Sequence, residues 1–142
     1  LQQKNHRQIF EDRIRFIAAA SLYPEKQKQL GEVLEKMSMV EASIVKAQEI
    51  ASRGDAAGAW ESAESARKEV PDDNKLNQLR ADLTTQASQF VQAINRAEEL
   101  EKKDLPGSSL AWYLKALQIY PASTFAKAGI QRLGAKVLPD AK

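Results

Sequence analysis

Apolar residues recur along this chain at spacings of three and four, the period of one helix face, and show no two-residue alternation of the kind a strand would carry. From about Gln8, the positions Ile9, Phe10, Ile14, Phe16, Ile17, Ala20 and Tyr23 predict an amphipathic helix ended by Pro24. Proline has no N–H to donate and pushes its predecessor out of the helical region. Glu25 to about Ser52 predicts a long helix, with Leu30, Val33, Met37, Val40, Ile44, Ala47 and Ala51 in one seam. At ~1.5 Å per residue that seam is about 42 Å long. Arg53-Gly54-Asp55 breaks it, Gly54 supplying a left-handed residue and Asp55 a cap for the next helix. Residues 56–70 then predict a helix with Ala56, Ala59, Ala63, Ala66 and Val70 on one face, Trp60 beside them, and Pro71 as its stop.

Asp72, Asp73 and Asn74 offer caps for a second long helix over 74–103, with Leu76, Leu79, Leu83, Ala87, Phe90, Ile94, Ala97 and Leu100 on its apolar face. After the turn Asp104-Leu105-Pro106-Gly107, Ser108 or Ser109 is expected to cap a helix that carries Leu110, Tyr113, Ala116, Leu117 and Tyr120 and stops at Pro121. Ser123 or Thr124 caps a last helix holding Phe125, Ala126, Ile130, Leu133 and Val137. Residues 1–7 and 139–142 are expected to be flexible ends of a single domain.

The three proline stops lie at 24, 71 and 121, separations of 47 and 50. Aligned on them, Ala19, Ala66 and Ala116 coincide, as do Phe16, Ala63 and Tyr113, while Ala47 matches Ala97 and Ile50 matches Leu100. Such recurrence marks a stacked helical array, in which each unit leaves an apolar face for its neighbour. Residues 47–71 and 97–121 resemble the second two-thirds of a tetratricopeptide repeat: the family's small residues fall on Ala47, Ala59 and Ala66 in one copy and on Ala97, Ser109 and Ala116 in the other, and its Gly-Asp turn on Gly54-Asp55. The resemblance covers most of residues 8–138 and implies an all-α, antiparallel helical-hairpin array (an α-solenoid) of about six helices, two of them long. The chain departs from the family in period, since those repeats recur about every 34 residues. The first helix of each pair is lengthened, and its early aromatic and large apolar residues are missing.

The resemblance further implies a groove along the first helices that holds a peptide. Carried over, the groove positions are Glu41, Ile44, Gln48, Ala51 and Ser52 in one copy, and Val91, Ile94, Glu98, Glu101 and Lys102 in the other. Trp112, beside Tyr113 and off the aligned core positions, is a candidate anchor. The Lys/Asn clamp that some members use for a C-terminal carboxylate is not matched, and an acidic, Gln-containing groove suits a basic or neutral segment.

Composition and charge narrow the remaining chemistry. Lys and Arg number 21 against 19 Asp and Glu, for a net +2, but residues 1–28 and 121–142 each carry +3 around a middle of −4. The absence of cysteine removes disulfide, thiolate-metal and thiol-nucleophile chemistry. His6, the one histidine, lacks partners for zinc or triad chemistry and is read as exposed and frayed. Glu98, Glu99 and Glu101, with Lys102 and Lys103 beside them, read as a solvated face rather than an acid–base pair. Asp55 and Asp72 read as caps, not calcium ligands, and no Gly-rich phosphate loop is present. Arg7, Arg13, Arg15, Lys26 and Lys28 are interrupted by Glu11, Asp12 and Glu25, so no nucleic-acid stripe forms. No apolar run approaches ~18 residues, and no membrane insertion is expected. No cofactor is expected either. A start at Leu1 rather than Met leads to the expectation of a piece of a longer, bacterial protein. The function expected is a non-catalytic interaction or scaffolding module for a protein or peptide partner. The alternatives are a coiled-coil-like spacer or oligomerisation element that self-associates, and an accessory domain of an envelope-anchored protein in the periplasm.

Overall fold

The computed structural model describes residues 6–20 and 23–137, and among these there are helices and turns but no strand. The helices are α1 (His6–Glu11), α2 (Arg13–Ala20), α3 (Pro24–Ser52), α4 (Ala56–Glu69), α5 (Asn74–Gln86), α6 (Ser88–Lys102), α7 (Pro106–Ile119) and α8 (Thr124–Val137). The chain is all-α. Consecutive helices pack on one another, α3 on α4, α4 on α5, α6 on α7 and α7 on α8, while α1 and α2 lie against α3.

Local chemistry explains most boundaries. Gly54 closes α3 at φ 88°, a conformation that favours glycine. Asp55 then accepts the Gly58 N–H at 2.9 Å, Asp73 accepts the Leu76 N–H at 2.9 Å, and the Ser123 hydroxyl accepts the Ala126 N–H at 2.9 Å. Each such cap contributes about 1 kcal/mol. The start of α7 corrects the sequence expectation. It begins at Pro106, whose missing N–H costs nothing at the first helical position. Ser109 is fully buried and donates to the Ala97 carbonyl at 2.6 Å, tying α7 to α6 instead of capping.

Two further corrections raise the expected six helices to eight among the described residues. The first helix is interrupted at Asp12, where the Arg15 N–H turns back to the Asp12 carbonyl at 3.0 Å. Its predicted apolar face is only partly used: Ile9 is buried, but Ile14 and Ile17 are 83% and 51% exposed. The second long helix is broken at Ala87 (φ −113°, ψ 36°). Just before it, Thr84 and Thr85 turn their hydroxyls onto the carbonyls of Arg80 and Ala81, a back-bonding that bends helices. The expected fraying of residues 1–7 does not extend to His6 and Arg7, which are helical; residues 1–5 and 138–142 lie outside the described residues.

The repeat is also more regular than the prolines indicate. Pro24 opens α3 rather than closing a helix, so it does not correspond to Pro71 and Pro121. Helices instead begin at 56 and 106, and at 24, 74 and 124, a uniform shift of fifty residues. In that register Ile9, Ala59 and Ser109 are all buried, as are Val33, Leu83 and Leu133. The α3–α4 turn at Gly54 is matched by Asp104, a non-glycine residue at φ 58°.

Trp60 sits at the centre, 1% exposed, packed edge-on to Phe90 and Phe125 with ring centroids 6.1 and 5.7 Å away. Its indole N–H donates to Thr84 at 3.0 Å, so one side chain meets both sides of the Ala87 break. The α7–α8 crossing is equally close: a Cβ on Gly129 would lie 2.6 Å from the Tyr113 ring.

Candidate partner-binding surface

The residues carried over as a groove fall into three kinds of position. Ile44, Val91 and Ile94 are core, at most 2% exposed, and line no groove; this corrects the carry-over. They belong to the buried core, Ile44 on α3, which packs on α4, and Val91 and Ile94 on α6, which packs on α7. Glu41 and Glu101 are half-buried and committed to internal ion pairs. Gln48, Ser52 and Lys102 are exposed, Ser52 donating to the Glu49 carbonyl at 2.7 Å. Among the described residues, no hydrogen bond or ion pair links the α3 group to the α6 group.

Around Glu41, the Arg7 guanidinium of α1 reaches both Glu41 and the Asp73 carboxylate that caps α5. Lys75 adds a contact at 3.3 Å. Burial pushes Glu41 up, but the hydrogen bonds and charges of Arg7 and Lys75 outweigh it and leave its pKa below the usual carboxylate range. His6, beside Arg7, is half-buried with an unpartnered Nδ1, which corrects the expectation of an exposed residue. Burial and the nearby Lys36 ammonium lower its pKa.

Around Glu101, Arg132 of α8 makes two hydrogen bonds at 2.9 and 3.0 Å, and the Tyr113 hydroxyl of α7 donates a third at 2.9 Å. These contacts hold Glu101 below the carboxylate range, chiefly through Arg132, while burial and the Glu101 hydrogen bond push Tyr113 well above the usual phenol value. A carboxylate clamped in this way joins three helices and is poorly placed to exchange a proton. Glu98 is half-buried, close enough to act electrostatically on Tyr113 and on Arg67 of α4. Trp112 is half-buried against the core, with the Lys115 ammonium 4.7 Å above its ring.

Sequence reasoning missed two buried acids on α4. Glu61 receives the Thr124 and Phe125 N–H groups at 3.1 and 3.2 Å and the hydroxyls of Ser123 and Thr124, and so holds the α8 N-terminus. Glu64 is ion-paired to Arg67 and Arg80; burial raises it, but the two guanidiniums prevail and its pKa is lowered. The only sequence signal was an acid on a helix face otherwise occupied by alanines. Between α3 and α4 lies an open cleft of about 430 Å³, bordered by Met39, Lys46 and Ile50 on one side and Ser62, Ser65 and Glu69 on the other.

Among the described residues no group of three or more acids and histidines is placed to hold a metal ion, and no helix is long and apolar enough to cross a membrane. No protein-family model matches the chain, and no curated protein or solved structure matches it.

Proposed function

We propose that this chain is a tetratricopeptide-like, non-catalytic interaction module that holds a polypeptide partner on its helical surface. The observation that carries the reading is the fifty-residue recurrence of helix boundaries with small buried residues at matching positions: Ala47 and Ala97, Ala59 and Ser109. Small side chains there let helix backbones approach, and stacked hairpins of this kind present extended faces to partners. The lengthened first helices, α3 and the α5–α6 pair, add surface beyond the family pattern. The titratable groups with clear roles are consumed in helix-to-helix contacts, which favours binding over turnover.

Because Glu101 holds α8, a charge reversal there would test folding as much as binding. The better test is affinity capture from a native lysate with Glu98→Lys and Lys102→Glu, whose side chains take no part in a hydrogen bond or ion pair among the described residues. A partner retained by the native chain and weakened at least tenfold by the double variant supports the reading. Failure to retain any protein above a charge-matched helical control refutes it. Self-association is a second reading, favoured by the exposed Ile14 and Ile17 on α2. A molar mass by light scattering that stays monomeric from 1 to 500 μM, on the order of the usual range for weak dimers, removes it.

A further inference from the structure

The fifty-residue repeat allows the two halves of the molecule to be compared position by position. Ser62 and Ser65, on the α4 side of the cleft, correspond to Trp112 and Lys115 on α7. In the second copy the indole packs against the core and the ammonium three residues on lies over its ring. In the first copy two hydroxymethyl groups stand at those positions, and an open volume of about 430 Å³ remains.

We propose that the α3–α4 cleft docks an aromatic side chain of a partner polypeptide, with a cation three residues further on, as Trp112 and Lys115 are arranged in the second copy. The proposal rests on the interaction reading above and gives it a site and a ligand chemistry. The α3 side contributes an adaptable apolar side chain to a mixed lining: Met39 is 45% exposed, and a thioether makes favourable contacts with aromatic rings. Ile50 is half-buried beside it. The charges complement such a ligand. Glu69 lies one helical turn beyond Ser65 on the α4 side, where it can pair with the ligand's cation, and Lys46 lines the α3 side, a second charge that can meet the ring. Neither forms a salt bridge among the described residues. The other carboxylate at the cleft, Glu61, is occupied at the α8 N-terminus.

The test is an NMR titration of the isotope-labelled full chain with acetyl-Trp-Ala-Ala-Lys-amide and with its Ala-for-Trp and Glu-for-Lys analogues. The expected shifts centre on Met39, Ser43, Ser62 and Ser65, need the tryptophan, and show at least a threefold preference for Lys over Glu. Glu69→Lys should reverse that preference. Ser62→Trp should fill the cleft from within, abolish the shifts and raise the melting temperature. Should Ser62→Trp fail to fold, Glu69→Lys on the exposed rim still decides the question. Scattered shifts, no shifts at millimolar peptide, or shifts indifferent to both variants overturn the cleft assignment. A partner whose capture survives Ser62→Trp but is lost with Glu98→Lys and Lys102→Glu also overturns it, while leaving the interaction reading standing.

Discussion

Removing the Glu61 carboxylate tests whether α8 is held as the structure describes. The side chain is 6% exposed, and its two oxygens receive two backbone N–H groups and two hydroxyls at the start of α8. A hydrogen bond to a charged group is worth about 1.5–3 kcal/mol net, and an anion at a helix N-terminus adds about 0.3–1 kcal/mol. The contributions share one carboxylate and do not add fully, so Glu61→Ala should cost about 3–5 kcal/mol. That is a large part of the ~5–15 kcal/mol by which domains are stable. Glu61→Gln keeps one acceptor oxygen and should cost roughly half as much. Urea unfolding followed by circular dichroism gives the free energies, and hydrogen exchange at residues 126–137 reports whether α8 opens first. A double-mutant cycle with Ser123→Ala should show a coupling of about 1 kcal/mol or more, because the two side chains hold one helix end together. A Glu61→Ala variant within about 0.5 kcal/mol of the native chain, the usual scatter for surface changes, would refute the assignment, as would unchanged exchange in α8.

Three other outcomes are expected from the same set of contacts. Gly129→Ala places a Cβ 2.6 Å from the Tyr113 ring and should destabilise by about 1–3 kcal/mol, read as a lower urea midpoint with an unchanged slope. Asp104→Gly relieves a non-glycine residue at φ 58° and should raise stability by up to about 1 kcal/mol; a loss of stability would mean that the aspartate side chain holds the turn. Glu41, Glu64 and Glu101 all have folded pKa values below their ordinary ones. Their contribution is therefore complete above the unfolded value of about 4.3 and is lost as pH falls through the folded values. Melting temperature should fall slightly as pH drops through about 6.5, where the unfolded His6 takes up a proton that the folded one resists, and more steeply below about 5, and Glu101→Gln should make that second drop shallower.

Much of the fold was legible because capping and periodicity are local. Gly54, Asp55, Asp73 and Ser123 each act within three or four residues of their own position, and the seam from Leu30 to Ala47 is buried as its spacing predicts. The break at Ala87 was not legible, because alanine is the best helix former and Leu83, Ala87, Phe90 keep the helical spacing across it. Besides the local Thr84 and Thr85 back-bonds, a tertiary contact spans the break: the Trp60 indole, 24 residues before Thr84, engages Thr84 on one side of it and Phe90 on the other. The prolines mislead about the register of the repeat for a related reason. A proline can end one helix or begin the next, and Pro24 does the second while Pro71 and Pro121 come after helix ends.

The candidate surface was less legible than the fold, since a carboxylate's role depends on which distant cation or helix end it meets. Glu98 and Glu101 look alike in sequence, yet Arg132, 31 residues further along, makes Glu101 a brace, while Glu98 has no salt bridge among the described residues. Glu61 and Glu64 likewise owe their burial to residues of α8 and α5. Binding positions carried over from a family pattern therefore had to be sorted by what the chain has already used. Two copies of one hairpin in the same chain do part of that sorting. Where the second copy has Trp112 against the core with Lys115 over its ring, the first has Ser62 and Ser65 beside an open cleft, with Lys46 and Glu69 at its edge. The two copies differ at most of their other matching positions as well, Leu110 standing where the first has Trp60 and Tyr113 where it has Ala63. The proposed docking of a partner side chain therefore rests on the open α3–α4 cleft and on the charges of Lys46 and Glu69 at its edge.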